Sequence, residues 1–157
     1  MIKSINNLTK IKKTHGEWMD IALTLAKKGK GKVLGRPLVG CVIVGENNKK
    51  IGEGFFSKIG GPHAEVKALK RAGIKAIDST MYVTLEPHCF QGLTPPCTNA
   101  IIKAGIKKVF VSIEDPFPKI KGRGILELKN MGIEVEVGLR KKEAVKLNKE
   151  WLLKNKN

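Results

Sequence analysis

The stretch Gly61-Pro62-His63-Ala64-Glu65 carries an imidazole and a carboxylate two residues apart, at the start of a helical hydrophobic pattern. Two later segments, Glu86-Pro87-His88-Cys89 and Pro95-Pro96-Cys97, each place a His or Cys directly after a proline. Proline fixes its own φ and restricts the residue before it, so it can hold a ligand at the mouth of a helix with little conformational freedom. Together the three segments can supply three metal ligands and one acid/base.

The residue types in these segments suit a zinc site whose ligands are His63, His88 and Cys97. Zinc lowers the pKa of a bound water toward ~7, which supplies a strong nucleophile at neutral pH. Replacing an exocyclic amine on a heteroaromatic ring also requires a carboxylate that shuttles the proton, and this is the role predicted for Glu65. A His-x-Glu followed by proline-ligand segments is typical of zinc-dependent nucleobase deaminases. Cys89 lacks a preceding proline and is the alternative ligand to His88.

His63 and Glu65 cannot both face one site from inside a regular helix. At 3.6 residues per turn, side chains two positions apart point about 200° apart. We therefore expect His63 at the start of the helix, outside helical dihedrals. The unpaired N-terminal amides and the positive end of the helix dipole would then point at the site.

Hydrophobic periodicity and turn residues predict five helices and five strands. The helices are expected at 18–26, 63–72, 98–104, 125–131 and 144–153, and the strands at 39–44, 51–56, 81–85, 109–113 and 133–137. The first two strands should form a hairpin, and Gly73 is expected as a left-handed C-cap. Cys41, inside an apolar strand, is expected to be a buried core thiol. Strands that alternate with helices after a hairpin favour a mixed sheet covered by helices on both faces.

Length and composition favour a single domain over residues 1–157, with 1–14 as a flexible or helical N-terminal extension. A chain of 157 residues, 41% of them hydrophobic, can bury a core of its own. It contains no run of about 18 apolar residues and no apolar block near the N-terminus, so we expect a cytoplasmic protein without a membrane span. Three cysteines argue against a disulfide framework and for metal or core roles.

The formal net charge of +16 raises the question of nucleic-acid binding. The lysines are spread over helix ends and polar faces along the whole chain, which favours a solvated surface. Nucleic acid is therefore not the expected partner. A phosphorylated small substrate would also be steered by such a positive field.

The sequence resembles the deaminase half of the bifunctional riboflavin biosynthesis deaminase/reductase. The matching motifs are Val39-Gly40-Cys41-Val42-Ile43-Val44, Gly61-Pro62-His63-Ala64-Glu65-Val66, Tyr82-Val83-Thr84-Leu85-Glu86-Pro87, Thr94-Pro95-Pro96-Cys97, Asp115-Pro116, Gly122-Arg123-Gly124 and Gly132-Ile133-Glu134-Val135. The resemblance implies a cytidine deaminase-like three-layer α/β/α sandwich with a mixed five-stranded sheet, a zinc ion, and diaminohydroxyphosphoribosylaminopyrimidine as substrate. No counterpart of the family's reductase domain is expected, which leaves room for a separate reductase as partner, and we expect a homo-oligomer.

The chain departs from the family where the family places a cysteine ligand and polar substrate contacts. His88 stands at the cysteine position, and the substrate-side positions hold Arg36, Phe56, Phe90, Leu93 and Phe117. One hypothesis is therefore a deaminase acting on the riboflavin intermediate or on a less polar aminopyrimidine or aminopurine. The other is a non-catalytic zinc-binding partner protein. Retention of Glu65 favours catalysis, because a structural zinc site has no use for an acid/base.

Overall fold

The computed structural model describes residues 11–156, and within them a five-stranded sheet has the order β2-β1-β3-β4-β5. The strands are β1 (Gly40–Val44), β2 (Lys50–Phe55), β3 (Thr80–Val83), β4 (Lys108–Val111) and β5 (Glu134–Val137). The helices are α1 (His15–Lys27), α2 (Ala64–Ala72), α3 (Cys97–Lys103), α4 (Arg123–Asn130), α5 (Lys141–Leu147) and α6 (Lys149–Lys154).

The sheet is mixed, as the sequence predicts. β1 and β2 form an antiparallel hairpin, and β1 also pairs antiparallel with β3. β3, β4 and β5 then run parallel to one another, joined by helical crossovers. The polar segments that follow β3 and β4 therefore leave the sheet at the same edge, which brings Glu86 and Asp115 close together.

Helices cover both faces of the sheet and complete three layers. α1 packs on β1 and against α5, whereas α2 packs on β1 and β2 and against α3, which contacts α4. Two glycines permit this close packing. A Cβ atom on Gly40 would lie 1.9 Å from the Ala22 carbonyl oxygen in α1, and one on Gly54 would lie 2.5 Å from the Ala64 carbonyl oxygen in α2. The second contact seats the N-terminal end of α2 directly on the sheet.

One predicted helix is divided in the structure, and one predicted helix cap is confirmed only in part. The expected helix 144–153 is two helices, because Asn148 leaves helical dihedrals (φ −109°, ψ 24°). Its side chain instead pairs with the Leu38 backbone, where Oδ1 accepts from N at 2.8 Å and Nδ2 donates to O at 2.9 Å. Gly73 is the C-cap of α2 with a positive φ of 56°, but its ψ of −139° lies outside the left-handed helical region, because α2 continues directly into a 3-10 turn over Gly73–Ala76.

The start of the chain is described only in part. Of the predicted N-terminal extension, residues 1–10 lie outside the described part, and 11–14 precede α1 as irregular chain. Thr14 caps α1 reciprocally with Glu17, whose backbone N–H donates to the Thr14 hydroxyl at 3.2 Å. None of the described helices is long and apolar enough to cross a membrane.

Candidate metal centre and active site

His63 lies at the start of α2, outside helical dihedrals, where the sequence places it. It is the N-cap residue, with φ −70° and ψ 166°, and its side chain makes no capping hydrogen bond. Its carbonyl accepts the first helical hydrogen bond, from Lys67 N at 3.1 Å. Because it lies outside the helix, the imidazole can turn away from the helix axis. Glu65, the second residue of α2, lines the same pocket as His63.

Three side chains from separate segments converge beside α2. Cys97 is the first residue of α3, and His88 lies in the loop after β3, tied to α3 by a hydrogen bond from Thr98 N to the His88 carbonyl at 3.3 Å. One potential ligand atom from each of His63, His88 and Cys97 lies within 4.8 Å of the others. Cys97 Sγ is 3.3 Å from Nδ1 of His63, and the Thr94 hydroxyl is 3.3 Å from Nε2 of the same ring.

The donor atoms of this cluster fit a metal ion. Nδ1 of His88 is buried and has no hydrogen-bond partner among the described residues. A buried unpaired nitrogen costs free energy unless something satisfies it, and a metal between His63, His88 and Cys97 would do so. Two imidazoles and a thiolate belong to the donor types that zinc takes in proteins. Cys89 lies outside the cluster, since its Sγ is directed at the Lys119 carbonyl oxygen, 3.8 Å away.

Burial shapes the electrostatics of the cluster. Glu65 is 3% exposed, and burial raises its pKa to about 7, although a hydrogen bond to its own backbone and one with the Cys97 thiol act in the opposite direction. Burial, followed by the charges of His88 and Arg36, lowers the pKa of His63 to about 4. A neutral His63 is the form that can donate a lone pair to a metal. Cys41 is fully buried in β1, as predicted, and burial raises its pKa, with a smaller contribution from the Glu65 carboxylate.

His63 and His88 of the cluster, together with Glu65, line a pocket of about 410 Å³. All five side chains predicted to face the substrate line this pocket: Arg36, Phe56, Phe90, Leu93 and Phe117. Aromatic rings continue outward from the two imidazoles, with centroid distances of 5.2 Å for Phe56–His63, 5.8 Å for His88–Phe90 and 6.3 Å for Phe90–Phe117. Leu93 is 74% exposed at the mouth. The pocket therefore offers flat apolar surfaces next to the polar cluster.

Sequence reasoning missed two buried carboxyl groups that line the same pocket, Glu86 and Asp115. Asp115 accepts a hydrogen bond from Phe117 N at 2.8 Å, and burial raises its pKa to about 6. A signal for both was available, because each acid directly precedes a proline and lies within two residues of the end of a predicted buried strand. Charged residues at such positions are seldom buried without a specific role.

Comparison with known proteins agrees with this fold. The family model for the cytidine and deoxycytidylate deaminase zinc-binding region matches residues 12–113. The diaminohydroxyphosphoribosylamino-pyrimidine deaminase of Buchnera aphidicola subsp. Schizaphis graminum is 50% identical over 132 residues, which cover 84% of this chain and 89% of that protein. The riboflavin biosynthesis protein RibD of Aquifex aeolicus is 50% identical over 141 residues, which cover 90% of this chain and 39% of that protein.

A solved structure, Acinetobacter baumannii RibD, superposes with a TM-score of 0.88 at 48% identity, covering 90% of this chain and 40% of that one. The chain thus spans about two fifths of the RibD proteins that it matches. Fold and site define the class as cytidine deaminase-like, with a zinc-binding deaminase region. Within that class, the chain belongs to the riboflavin-biosynthesis deaminase family. The family resemblance and the mixed five-stranded α/β/α fold predicted from the sequence are both confirmed.

Proposed function

We propose that this chain is a zinc-dependent hydrolytic deaminase of an aminated pyrimidine, namely diaminohydroxyphosphoribosylaminopyrimidine in riboflavin biosynthesis. The observation that carries the proposal is the convergence of His63, His88 and Cys97 next to the buried carboxyl of Glu65. Support for the substrate comes from the Buchnera relative, which bears that substrate's name and is matched over 89% of its length.

In this proposal His63, His88 and Cys97 hold the zinc ion, and Cys97 binds as the thiolate. When bound, zinc would polarise water and make it a nucleophile at neutral pH. Three protein ligands leave a fourth position open for that chemistry. His88 supplies a buried nitrogen that has no hydrogen-bond partner within residues 11–156, and the Thr94 hydroxyl orients the His63 ring.

Glu65 moves the protons. Its carboxylate takes a proton from the attacking water and passes it to the ring nitrogen of the substrate. It then carries the remaining proton of the added hydroxyl to the amine, so that the C–N bond breaks, ammonia leaves and the C=O forms. The net reaction exchanges a C–NH₂ for a C=O with consumption of one water. In the metal-free protein burial raises the pKa of this carboxyl to about 7, and an acid/base is most effective when its pKa is close to the working pH.

The pocket would bind the ring between flat apolar side chains. Phe56, Phe90 and Phe117 offer faces and edges on which a heteroaromatic ring can pack. Arg36 and Leu93 are exposed at the mouth of the pocket, where Arg36 can face an anionic substituent of the substrate.

We further propose that a separate reductase takes the deaminated product and that the protein forms a homo-oligomer.

The test is ammonia release from diaminohydroxyphosphoribosylaminopyrimidine by the purified protein, before chelation, after chelation, and after zinc is restored. We expect activity that disappears with the metal and returns with zinc. Ammonia release that is indifferent to chelation would contradict the metal assignment. No ammonia release by the zinc-loaded protein from any of a panel of aminopyrimidines and aminopurines would favour the non-catalytic alternative.

A second candidate is the same chemistry on a less polar amine. The observation that favours it is the apolar lining by three phenylalanines, together with Leu93 at the mouth. A polar ribosyl phosphate leaves groups unpaired against such a surface, and each unpaired buried group costs about 1–3 kcal/mol. The same panel discriminates, because this candidate predicts that an aminopyrimidine without ribose and phosphate has the higher kcat/KM.

A further inference from the structure

Glu86 has an unusual environment for a carboxylate. It directly follows Leu85 beyond the end of β3, two residues before His88, and only 3% of it is exposed. Its carboxylate accepts four backbone hydrogen bonds: Oε2 accepts from Asp115 N at 3.1 Å and Gly122 N at 3.0 Å, and Oε1 accepts from Gly124 N at 3.1 Å and Ile125 N at 3.3 Å. Both oxygens are therefore occupied by fixed donors.

The four donors belong to the two ends of one pocket-lining loop. Asp115 begins the loop, and Gly122 ends it as the N-cap of α4. Gly124 and Ile125 are the second and third residues of α4, whose amides have no partner within the helix. The carboxylate also lies at the positive end of the α4 dipole, where a negative charge is favourable. A single side chain thus ties together the two ends of residues 115–122, a segment that includes the pocket-lining Phe117 and Lys119.

The same region is packed tightly against the segment that carries His88. A Cβ atom on Gly124 would lie 2.1 Å from the Pro87 carbonyl oxygen, so the α4 backbone rests on the peptide that leads into His88. On the other side, Glu86 N donates to the Ile113 carbonyl at 2.9 Å. The segment 86–88 is therefore held between the end of β4 and the start of α4.

We propose that Glu86 is a positioning residue that couples the candidate metal ligand His88 to the pocket loop 115–122, and so sets the distance between the metal centre and the bound ring. The inference rests on the proposed function, since the ring it places is the substrate of that reaction. Glu86 itself is not catalytic, because both of its oxygens are engaged by backbone amides.

The test variant is Glu86→Gln, which keeps the size of the side chain but turns an N–H toward amides that need an acceptor. In the zinc-loaded protein we expect zinc transfer to a chelator to become about 10-fold to 100-fold faster, as for other residues that hold a metal ligand in place. KM should rise and kcat should fall, and the relative change in KM should be the larger of the two. Hydrogen exchange of amides 115, 122, 124 and 125 should become faster than in the wild type.

Val109→Ala is the matched control, because Val109 is fully buried in β4 and its truncation lowers stability without touching the loop. This variant should lose thermal stability yet keep the wild-type zinc transfer rate and KM. If Glu86→Gln matches Val109→Ala in zinc transfer and KM, Glu86 is merely structural and the inference fails. Zinc transfer and hydrogen exchange test the positioning role of Glu86 even if the wild type deaminates no substrate. Failure of this inference can therefore be distinguished from failure of the proposed function.

Should Glu86→Gln not fold, Gly124→Ala provides the second variant. The added methyl pushes α4 away from the Pro87 carbonyl and so weakens the same coupling. Faster zinc transfer and faster exchange of amides 115 and 122 are expected. Wild-type values for both in a folded Gly124→Ala protein would overturn the inference.

Discussion

Two glutamates line the same pocket, are equally buried at 3% exposure, and have opposite surroundings. Glu86 is surrounded by four backbone amides that donate to it. The hydrogen bonds of Glu65 are to its own backbone and to the ionisable thiol of Cys97. Burial raises the pKa of both carboxyls. For Glu86 the amides of Gly122, Asp115 and Ile125 offset part of this rise, the charge of Glu114 adds to it, and the pKa stays above its ordinary value.

This difference suits the two carboxyls to different roles, because one holds neighbouring segments in place and the other can transfer protons. A carboxylate whose lone pairs are filled by rigid donors stabilises its charged form and fixes the segments that donate to it. A buried carboxylate with few fixed donors can gain or lose a proton at little cost near neutral pH, which suits general acid/base chemistry. We therefore assign proton transfer to Glu65 and positioning to Glu86, although burial alone does not distinguish them.

The largest expected effect is on turnover. Glu65→Gln keeps the shape of the side chain but cannot shuttle a proton, so kcat should fall by about 10² to 10⁴. Zinc content, measured by elemental analysis, should match the wild type, because Glu65 is not among the clustered ligands. Unchanged turnover of any accepted substrate in Glu65→Gln would remove the distinction between the two glutamates.

The next effect concerns His88, the proposed ligand that we infer Glu86 to position. His88→Ala should weaken zinc affinity by roughly 100-fold or more, because one of three protein ligands is lost. Cys89→Ser, one residue further along, is the matched control and should bind zinc as the wild type does, since its thiol faces the Lys119 carbonyl. Competition with a chromogenic chelator measures both. The opposite pattern, with zinc lost in Cys89→Ser and kept in His88→Ala, would reassign the third ligand.

The third prediction is that the two glutamates affect the stability of the metal-free protein in opposite directions. The pKa of Glu65 rises from 4.5 to about 7 on folding, so the folded state favours the protonated form. This contribution is fully present below pH 4.5 and is lost as the pH rises through 7. Glu65→Gln should therefore be more stable than the wild type above pH 7, by on the order of 3 kcal/mol, and equal to it near pH 4.

His63 acts in the opposite direction, because its pKa is lowered to about 4 in the folded protein and stability rises with pH up to 6.5. It is present in both proteins, so its contribution cancels in their difference. Glu86→Gln should instead lose about 1–3 kcal/mol at pH 8, since amides are left without an acceptor. Urea unfolding in the presence of a chelator at pH 4, 6 and 8 measures all three proteins. A Glu65→Gln protein that is less stable than the wild type at pH 8 would contradict the raised pKa.

Local rules predicted much of the fold and the outline of the site. The helical period alone placed His63 at the start of α2, and the proline before each of His63, His88 and Cys97 selected the three side chains that cluster. The break at Asn148 depends on the Leu38 backbone, 110 residues away, which no local pattern reports. The position of Glu86, after a predicted strand and before a proline, was recognisable in the sequence, but its role was not. Its donors lie 29–39 residues later and are backbone amides, which leave no residue-type signature in the sequence.

The smallest expected effect tests the charge around Glu65. With His63, His88 and Cys97 as ligands, one thiolate offsets a divalent zinc ion, so the centre carries about one positive charge more than a His-Cys-Cys set would. A more positive centre favours the ionised form of the neighbouring Glu65 carboxyl, which must be ionised to accept the first proton. Replacing His88 by cysteine should therefore move the acid limb of the pH–rate profile upward by about one pH unit. Profiles of kcat/KM for the wild type and His88→Cys, both zinc-loaded, measure this shift. An acid limb at the same or lower pH in His88→Cys would mean that the histidine merely weakens zinc binding without tuning Glu65.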